Sequence, residues 1–397
     1  MGKIDISKNC ISVAMISNAM SHHQISFCDA MSEQDGIKFY FIATKPIASE
    51  RLMMGYLDLN KSREYIIRPY ESENEKLRAL EIANKCDFVI YGSAPFEYIK
   101  NRIRNKKWTF VYSERLFKET RAKDLFNMKT IAACTVRYAF ASHKKLRLLC
   151  SSAFSSSDFK CFGFKEKDAL KWGYFPPVSK SDFEEINQNK EKNSIIWVGR
   201  FIHWKHPELA VELAKRLKES NIDFNLTMVG NGVMFEQIKA LANTYNVADR
   251  IRFMGALSTE QTREEMEKAS ILITTSDHNE GWGAIVNEGM SSGCAVVGSH
   301  LMGSVPYLIK DKENGIVFES GNVDDLYEKV KNLLNDTLRE EVSKNAYKSI
   351  ENEYNGDVAA QRLITLMREY LKGNEQFAFD SGICSVAKRM KNSWYKG

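Results

Sequence analysis

The sequence predicts two α/β domains, each built on a parallel sheet. Three observations carry this expectation. Short β-rich runs alternate with helical segments of about 10–14 residues, the pattern of βαβ units with right-handed crossovers. The alternation runs through both halves of the chain and is broken by the rigid Pro pair of Gly173-Tyr174-Phe175-Pro176-Pro177 and the polar stretch Ser179–Asn193. The length of 397 residues fits two domains at about 100–200 residues each. The expected division is residues 1–175, residues 176–355, and a last segment, 356–397, whose helix and basic tail pack back on the first domain.

In the first half, Ile11 to Ile16, Phe39 to Ala43, Phe88 to Tyr91, Thr109 to Tyr112 and Leu146 to Leu149 read as strands. Between them, His23–Met31, Glu73–Asn84 and Phe96–Arg104 read as helices. The second half is cleaner. Ser194–Val198 is a short buried strand, and His206–Glu219 is a helix with Leu209, Leu213 and Leu217 on one face. Strands follow at Phe224–Val229, Arg250–Met254, Ile271–Thr274 and Ala295–Val297. Helices lie between them at Phe235–Tyr245 and Glu260–Ala269 and from near Ala284. Residues 337–371 form two long helices.

Composition narrows the class. Apolar residues at 44% and charged residues at 27% are ordinary soluble usage, against disordered or fibrous chains. No run approaches the ~18–20 apolar residues of a membrane span. Met1-Gly2-Lys3-Ile4-Asp5-Ile6 has no signal-peptide core and no myristoylation pattern, so a cytoplasmic protein is expected. None of the eight cysteines forms a C-x-x-C pair, so reduced, buried thiols are expected. The net charge of +5 is unevenly spread: residues 101–150 alone carry 13 basic and 3 acidic side chains. Such a field attracts phosphorylated ligands, nucleic acid or an anionic membrane surface. No RNA- or DNA-reading motif accompanies it, so nucleic acid is not expected as a partner.

Two stretches carry chemistry. The first is Asp277-His278-Asn279-Glu280-Gly281-Trp282-Gly283-Ala284-Ile285-Val286-Asn287-Glu288, which follows a buried strand and opens a helix. Ligands of open α/β sheets sit beyond the carboxyl ends of strands. Gly281 and Gly283 permit close backbone approach, and a helix start suits a phosphate. Glu280 in the loop and Glu288 one turn into the helix suit vicinal hydroxyls of a ribose or a sugar. The second stretch is Gly199-Arg200-Phe201-Ile202-His203-Trp204-Lys205, directly after the first strand of the second domain. Arg200 and Lys205 bring two cations to the same edge, where they suit a pyrophosphate.

The order Val198-Gly199-Arg200…Lys205, Val229-Gly230-Asn231-Gly232, Phe253-Met254-Gly255, Glu280…Glu288 resembles glycosyltransferase family 4 over roughly residues 194–335. The resemblance implies a GT-B fold, in which two Rossmann-like domains face each other across a cleft. It also implies transfer from a nucleoside-diphosphate sugar, mostly with retention, with a UDP-sugar as the first donor to consider and no cofactor. By the same resemblance Arg200 and Lys205 hold the donor diphosphate, Glu280 binds sugar hydroxyls, and Glu288 binds the ribose. Gly199, Gly230, Gly283, Ala284 and Ile285 touch sugar and phosphate, and Leu257 lies beside the base. Where many members have Gly after the lysine, this chain has His206-Pro207, which alters helix entry rather than chemistry. The chain has no Asp-x-Asp motif, and His203, His206, His278 and His300 lack metal-ligand spacing, so no metal is expected.

On the acceptor side the reading is thinner. The loop Ser17-Asn18-Ala19-Met20-Ser21-His22-His23 is polar but lacks the glycines common in the family, and His22 or His23 would contact acceptor or phosphate. Ser113-Glu114-Arg115 stands where many members have a His. Glu114 has two readings, sugar hydroxyls or pairing with Arg115. The acceptor implied is a glycan or a lipid-linked sugar in surface polysaccharide synthesis. A lipid-linked acceptor would place the protein peripherally on the inner face of the cell membrane. The basic stretch, with Trp108, Phe110, Phe117, Phe126 and Phe140 interleaved, and the tail Lys388–Lys396 suit that surface, but most of those aromatics lie in strand or helix patterns and read as core. The rival readings are a nucleotide-sugar epimerase or synthase of related architecture, and a nucleotide-sugar-binding module without transfer.

Overall fold

A computed structural model describes residues 10–48, 57–118, 132, 135–139, 145–179 and 181–396. The chain divides into two compact units. One runs up to Pro177 and adds Asn355–Arg389; the other is Val178–Tyr354 and adds the segment from Met390.

The first unit is a seven-stranded parallel sheet. Its strands are β1 (Ile11–Ser17), β2 (Ile37–Ala43), β3 (Ile66–Ile67), β4 (Phe88–Tyr91), β5 (Thr109–Ser113), β6 (Leu146–Cys150) and β7 (Ala169–Lys171), in the order β3-β2-β1-β4-β5-β6-β7. The order reverses between β1 and β4, both of which have neighbours on each side. Val13, Ala14, Met15 and Ile16 of β1 and Phe88, Val89 and Ile90 of β4 are fully buried, as continuous apolar runs of a two-faced parallel sheet should be. Helices α1 (His22–Glu33), α2 (Glu73–Lys85) and α3 (Glu97–Arg104) supply crossovers.

The second unit is a six-stranded parallel sheet: β8 (Ser194–Val198), β9 (Asn225–Val229), β10 (Ile251–Gly255), β11 (Ile271–Thr274), β12 (Ala295–Ser299) and β13 (Ile316–Phe318). Their order is β10-β9-β8-β11-β12-β13, so the reversal falls between β8 and β11. Its helices of six or more residues are α4 (Phe183–Gln188), α5 (Pro207–Glu219), α6 (Phe235–Thr244), α7 (Thr259–Lys268), α8 (Ile285–Ser291), α9 (Val323–Leu333) and α10 (Asp336–Asn352). In α5, Pro207 at the first position costs no hydrogen bond, and Leu209, Leu213 and Leu217 turn inward as their spacing predicts. Ser258 and Gln261 close a capping box at the start of α7.

After α10 the chain returns to the first unit as α11 (Gly356–Leu371), which packs on α1. Residues 384–387 then run along the edge strand β7. Lys171 N–H donates to Ser385 O at 2.7 Å, and Ala387 N–H to Ala169 O at 2.8 Å. This covers an otherwise open edge. The last residues belong to the second unit. Trp394 Nε1 donates to His300 O at 2.9 Å, Tyr395 stacks on His300, and Lys396 pairs with Glu319 at 2.5 Å.

One expectation needs correction. The thiols are not all buried: Cys28, Cys86, Cys150, Cys294 and Cys384 are, but Cys10 and Cys161 are exposed. Cys10 precedes β1, and Cys161 lies on a single 3-10 turn, where neither is covered by a helix layer. Cys134 lies outside the described residues. Of the aromatics of the basic stretch, Trp108, Phe110 and Phe117 are core residues, as their strand and helix patterns suggest. Phe126 and Phe140 lie outside the described residues.

Candidate functional site

In the second unit the loops leaving β8 and β11 emerge side by side at the carboxyl edge, where the sheet order reverses. The loop after β8 is fastened to the loop after β9 backbone to backbone. Gly199 N–H donates to Val229 O and Phe201 N–H to Asn231 O, each at 3.0 Å. Gly230 has φ +128°, and a Cβ there would lie 1.9 Å from Gly199 O. No other residue fits.

On this platform Lys205 and Glu280 form an ion pair, both side chains largely covered. Their loops are also tied by Thr275, whose hydroxyl donates to Lys205 O at 2.6 Å and accepts from Trp197 Nε1 at 2.8 Å. Asp277 shapes the turn that presents Glu280: Asn279 N–H donates to its side chain at 2.8 Å, and Glu280 N–H to its carbonyl at 3.1 Å. Arg200 stands apart from this pair. It is exposed, with its guanidinium 5.5 Å from the Trp204 ring centre.

Trp282 is fully buried and donates from Nε1 to Asn287 at 2.9 Å, so it anchors the loop rather than lining a ligand surface. Gly283 has φ +84°, and a Cβ there would meet Met302 at 2.4 Å. Its missing side chain therefore admits a neighbour from the same unit. Ala284 and Ile285 begin α8, and Glu288 is its fourth residue. Burial raises the Glu288 pKa, opposed by the charges of Arg263 and Lys205. Lys205 thus acts on both glutamates. Leu257 is half-buried in the turn between β10 and α7.

In the first unit, His22 and His23 open α1 directly after the β1 loop, with their rings 3.6 Å apart. His23 stacks on Tyr174 at 5.4 Å. Burial first and His22 second lower its pKa to about 3, so it is a neutral ring near pH 7 and no cation for a phosphate. Glu114 does not pair with Arg115. It accepts from Tyr174 at 2.5 Å and pairs with Lys118 at 2.8 Å. Arg115 turns inward to Asp158 at 3.9 Å and lies over the Phe154 ring. Tyr174 thus joins His23 to Glu114. Sequence reasoning placed Tyr174 in a linker and missed it.

The family model described as "Glycosyl transferases group 1" matches residues 178–349, which contain β8 to β13 and every residue of the β8–β11 site. The second unit is thus similar to the glycosyl transferases group 1 over 178–349. An uncharacterised glycosyltransferase of Methanocaldococcus jannaschii is 29% identical over 164 residues, 41% of this chain and 44% of that protein. The poly(glycerol-phosphate) alpha-glucosyltransferase of Bacillus subtilis is 28% identical over 167 residues, 42% of this chain and 24% of that one. The chain therefore spans less than half of either relative. The Anabaena HepE structure in complex with UDP aligns with TM-score 0.64 and 14% identity over 91% of this chain and 100% of that one. That likeness is one of fold, and the fold is GT-B, with two Rossmann-like units.

Within the second unit, the sequence motif singled out Arg200, Lys205, Glu280 and Glu288 but not the residues that hold them. Asp277, Trp204, Arg263 and His206 all act on them, and only His206 carried a visible signal, as the residue standing in place of the usual Gly after Lys205. Chemically, the arrangement offers a cation beside a carboxylate and a second, deeper carboxylate one helical turn away. Among the described residues no helix is long and apolar enough to cross a membrane.

Proposed function

We propose that this protein is a retaining glycosyltransferase that moves a sugar from a nucleoside-diphosphate sugar to a glycan or lipid-linked acceptor. The observation that carries the reading is the Lys205–Glu280 pair, poised with Glu288 at the reversal point of the second unit's sheet. A sugar diphosphate presents hydroxyls and phosphate oxygens on adjoining atoms, so one ion pair can take both. Glu280 accepts from sugar hydroxyls while Lys205, with Arg200, stabilises the charge that grows on the departing diphosphate. Glu288, raised in pKa by burial, gains hydrogen-bond donors from a ribose diol. Gly199, Gly230, Gly283, Ala284 and Ile285 offer backbone groups to sugar and phosphate, and Leu257 an apolar contact to the base. The likeness to HepE, whose structure contains UDP, makes a UDP-sugar the first donor to test.

Retention follows if the leaving diphosphate itself accepts the acceptor proton on the face it leaves. His22, His23 and Glu114 are the proposed acceptor-side groups, with His23 as a neutral hydrogen-bonding ring. A role in surface polysaccharide synthesis, on the inner face of the cell membrane, is supported by the likeness to an enzyme named for poly(glycerol-phosphate). The decisive experiment screens nucleoside-diphosphate sugars by thermal shift and donor hydrolysis, for the wild type, Lys205→Ala and Arg200→Ala. Each variant should remain folded and lose roughly 10²–10³ in rate. Near-normal turnover in both variants would overturn the diphosphate assignment.

A further inference from the structure

His206 follows Lys205 and occupies a left-handed backbone position, φ +47°. A non-glycine side chain there is strained, and such strain persists only where the surroundings hold it. Both of its ring nitrogens are held. Nδ1 lies 2.7 Å from Glu208 and Nε2 lies 3.3 Å from Asp277. Only a doubly protonated ring can donate to both carboxylates at once. One of those carboxylates belongs to α5, which His206 opens. The other is the residue whose carbonyl and side chain shape the turn carrying Glu280.

We propose that His206 is a positioning residue that clamps the Lys205 turn to the 277–280 loop through Glu208 and Asp277, and so holds Lys205 against Glu280. The proposal rests on the transferase reading, and it adds a group that does not itself touch the donor. The charged groups facing the ring are Glu208 on its own helix and Asp277 across the loop; Glu212 acts on Glu208, and His278 on Asp277. The two carboxylates, outweighing burial, raise its pKa to about 9, so the clamp is charged at neutral pH and released in alkali. The second Glu208 oxygen is buried without a hydrogen-bond partner among the described residues, so His206 is the group that balances this carboxylate.

His206→Asn and His206→Gly test it, because both side chains tolerate the left-handed backbone. Both variants should fold, bind bare UDP more weakly because Lys205 is displaced, and lose about tenfold in kcat. The wild-type alkaline limb near pH 9 should vanish from their pH–rate profiles. Two readouts need no donor at all. The His206 ring of the unliganded wild type should titrate by NMR well above 6.5, and a crystal structure of H206N should show Lys205 parted from Glu280. An intact Lys205–Glu280 pair in H206N, or a ring titrating near 6.5, overturns the clamp. A wild type that uses no nucleotide sugar overturns the transferase reading instead, and leaves the two unliganded measurements to decide the clamp.

Discussion

Glu280 and Glu288 stand eight positions apart and meet different surroundings, so their losses should read out differently. Glu280 is tied to Lys205 at the loop tip; Glu288 is sunk in α8, with burial pushing its pKa up. A carboxylate that holds ribose hydroxyls stabilises ground and transition states alike. Glu288→Gln should therefore weaken nucleoside diphosphate binding several-fold, read by calorimetry with the bare nucleotide. Glu280→Gln should leave that binding nearly intact and lower kcat about tenfold, about 1.4 kcal/mol. The reverse pattern would exchange their roles. At the same scale His206 makes stability depend on pH. Its folded pKa, about 9, lies above the ordinary 6.5, so its contribution is complete below pH 6.5 and is lost as pH rises through 9. Thermal melts should fall across that window in wild type and fall less in His206→Asn. Arg200, Lys205, Glu280 and Glu288 were legible because a motif fixes residue type and spacing. The Lys205–Glu280 contact and the Tyr174 bridge were not, since both depend on loops brought together only by folding.

Loop against loop is also where elements decide the site. The β8 and β9 loops meet backbone to backbone only because Gly230 has no side chain and adopts φ +128°. Gly230→Ala should cost roughly 2–4 kcal/mol in denaturant melts, from strain and displacement together. It should also weaken donor binding, because the displaced loop carries Arg200 and Lys205. A variant as stable as wild type would show that the β8 loop has room to move. The central strands were plain in the sequence because each is a continuous apolar run buried on two faces. The edge strands β3 (two residues) and β7 and β13 (three each) were invisible, being too short to show a period. Helix α9 was missed as well, although Leu326, Val330 and Leu333 form its buried stripe. The stretch 384–387 read as polar tail because its pairing to β7 is made by backbone groups, which leave no side-chain pattern.

At the scale of the molecule, the described part of the basic excess of residues 101–150 divides into internal and external charge. Arg102 is fully buried and spends its guanidinium on the carbonyls of Ala83, Cys86, Asp87 and Trp108. Arg115 and Arg147 are buried beside Asp158 and Asp168. These three shape the core and cannot dock anything. What remains outside includes Lys106, Lys107 and Lys145, which with Lys85 line a hollow of about 200 Å³ beside the exposed Leu371. The tail is engaged elsewhere, since Trp394 and Tyr395 are held on His300 and Lys396 on Glu319. If the protein works on a lipid-linked acceptor, the lysine hollow is therefore the surface that should meet anionic headgroups, at roughly 1 kcal/mol per lysine at the surface. Wild type should co-sediment with phosphatidylglycerol-containing vesicles at low salt and release at high salt, where the Debye length shrinks to a few ångströms. A Lys106→Glu, Lys107→Glu, Lys145→Glu variant should stay in the supernatant, with its melting profile and donor hydrolysis unchanged. Equal sedimentation of wild type and variant would move the docking surface elsewhere, and equal binding to neutral vesicles would remove charge as its cause.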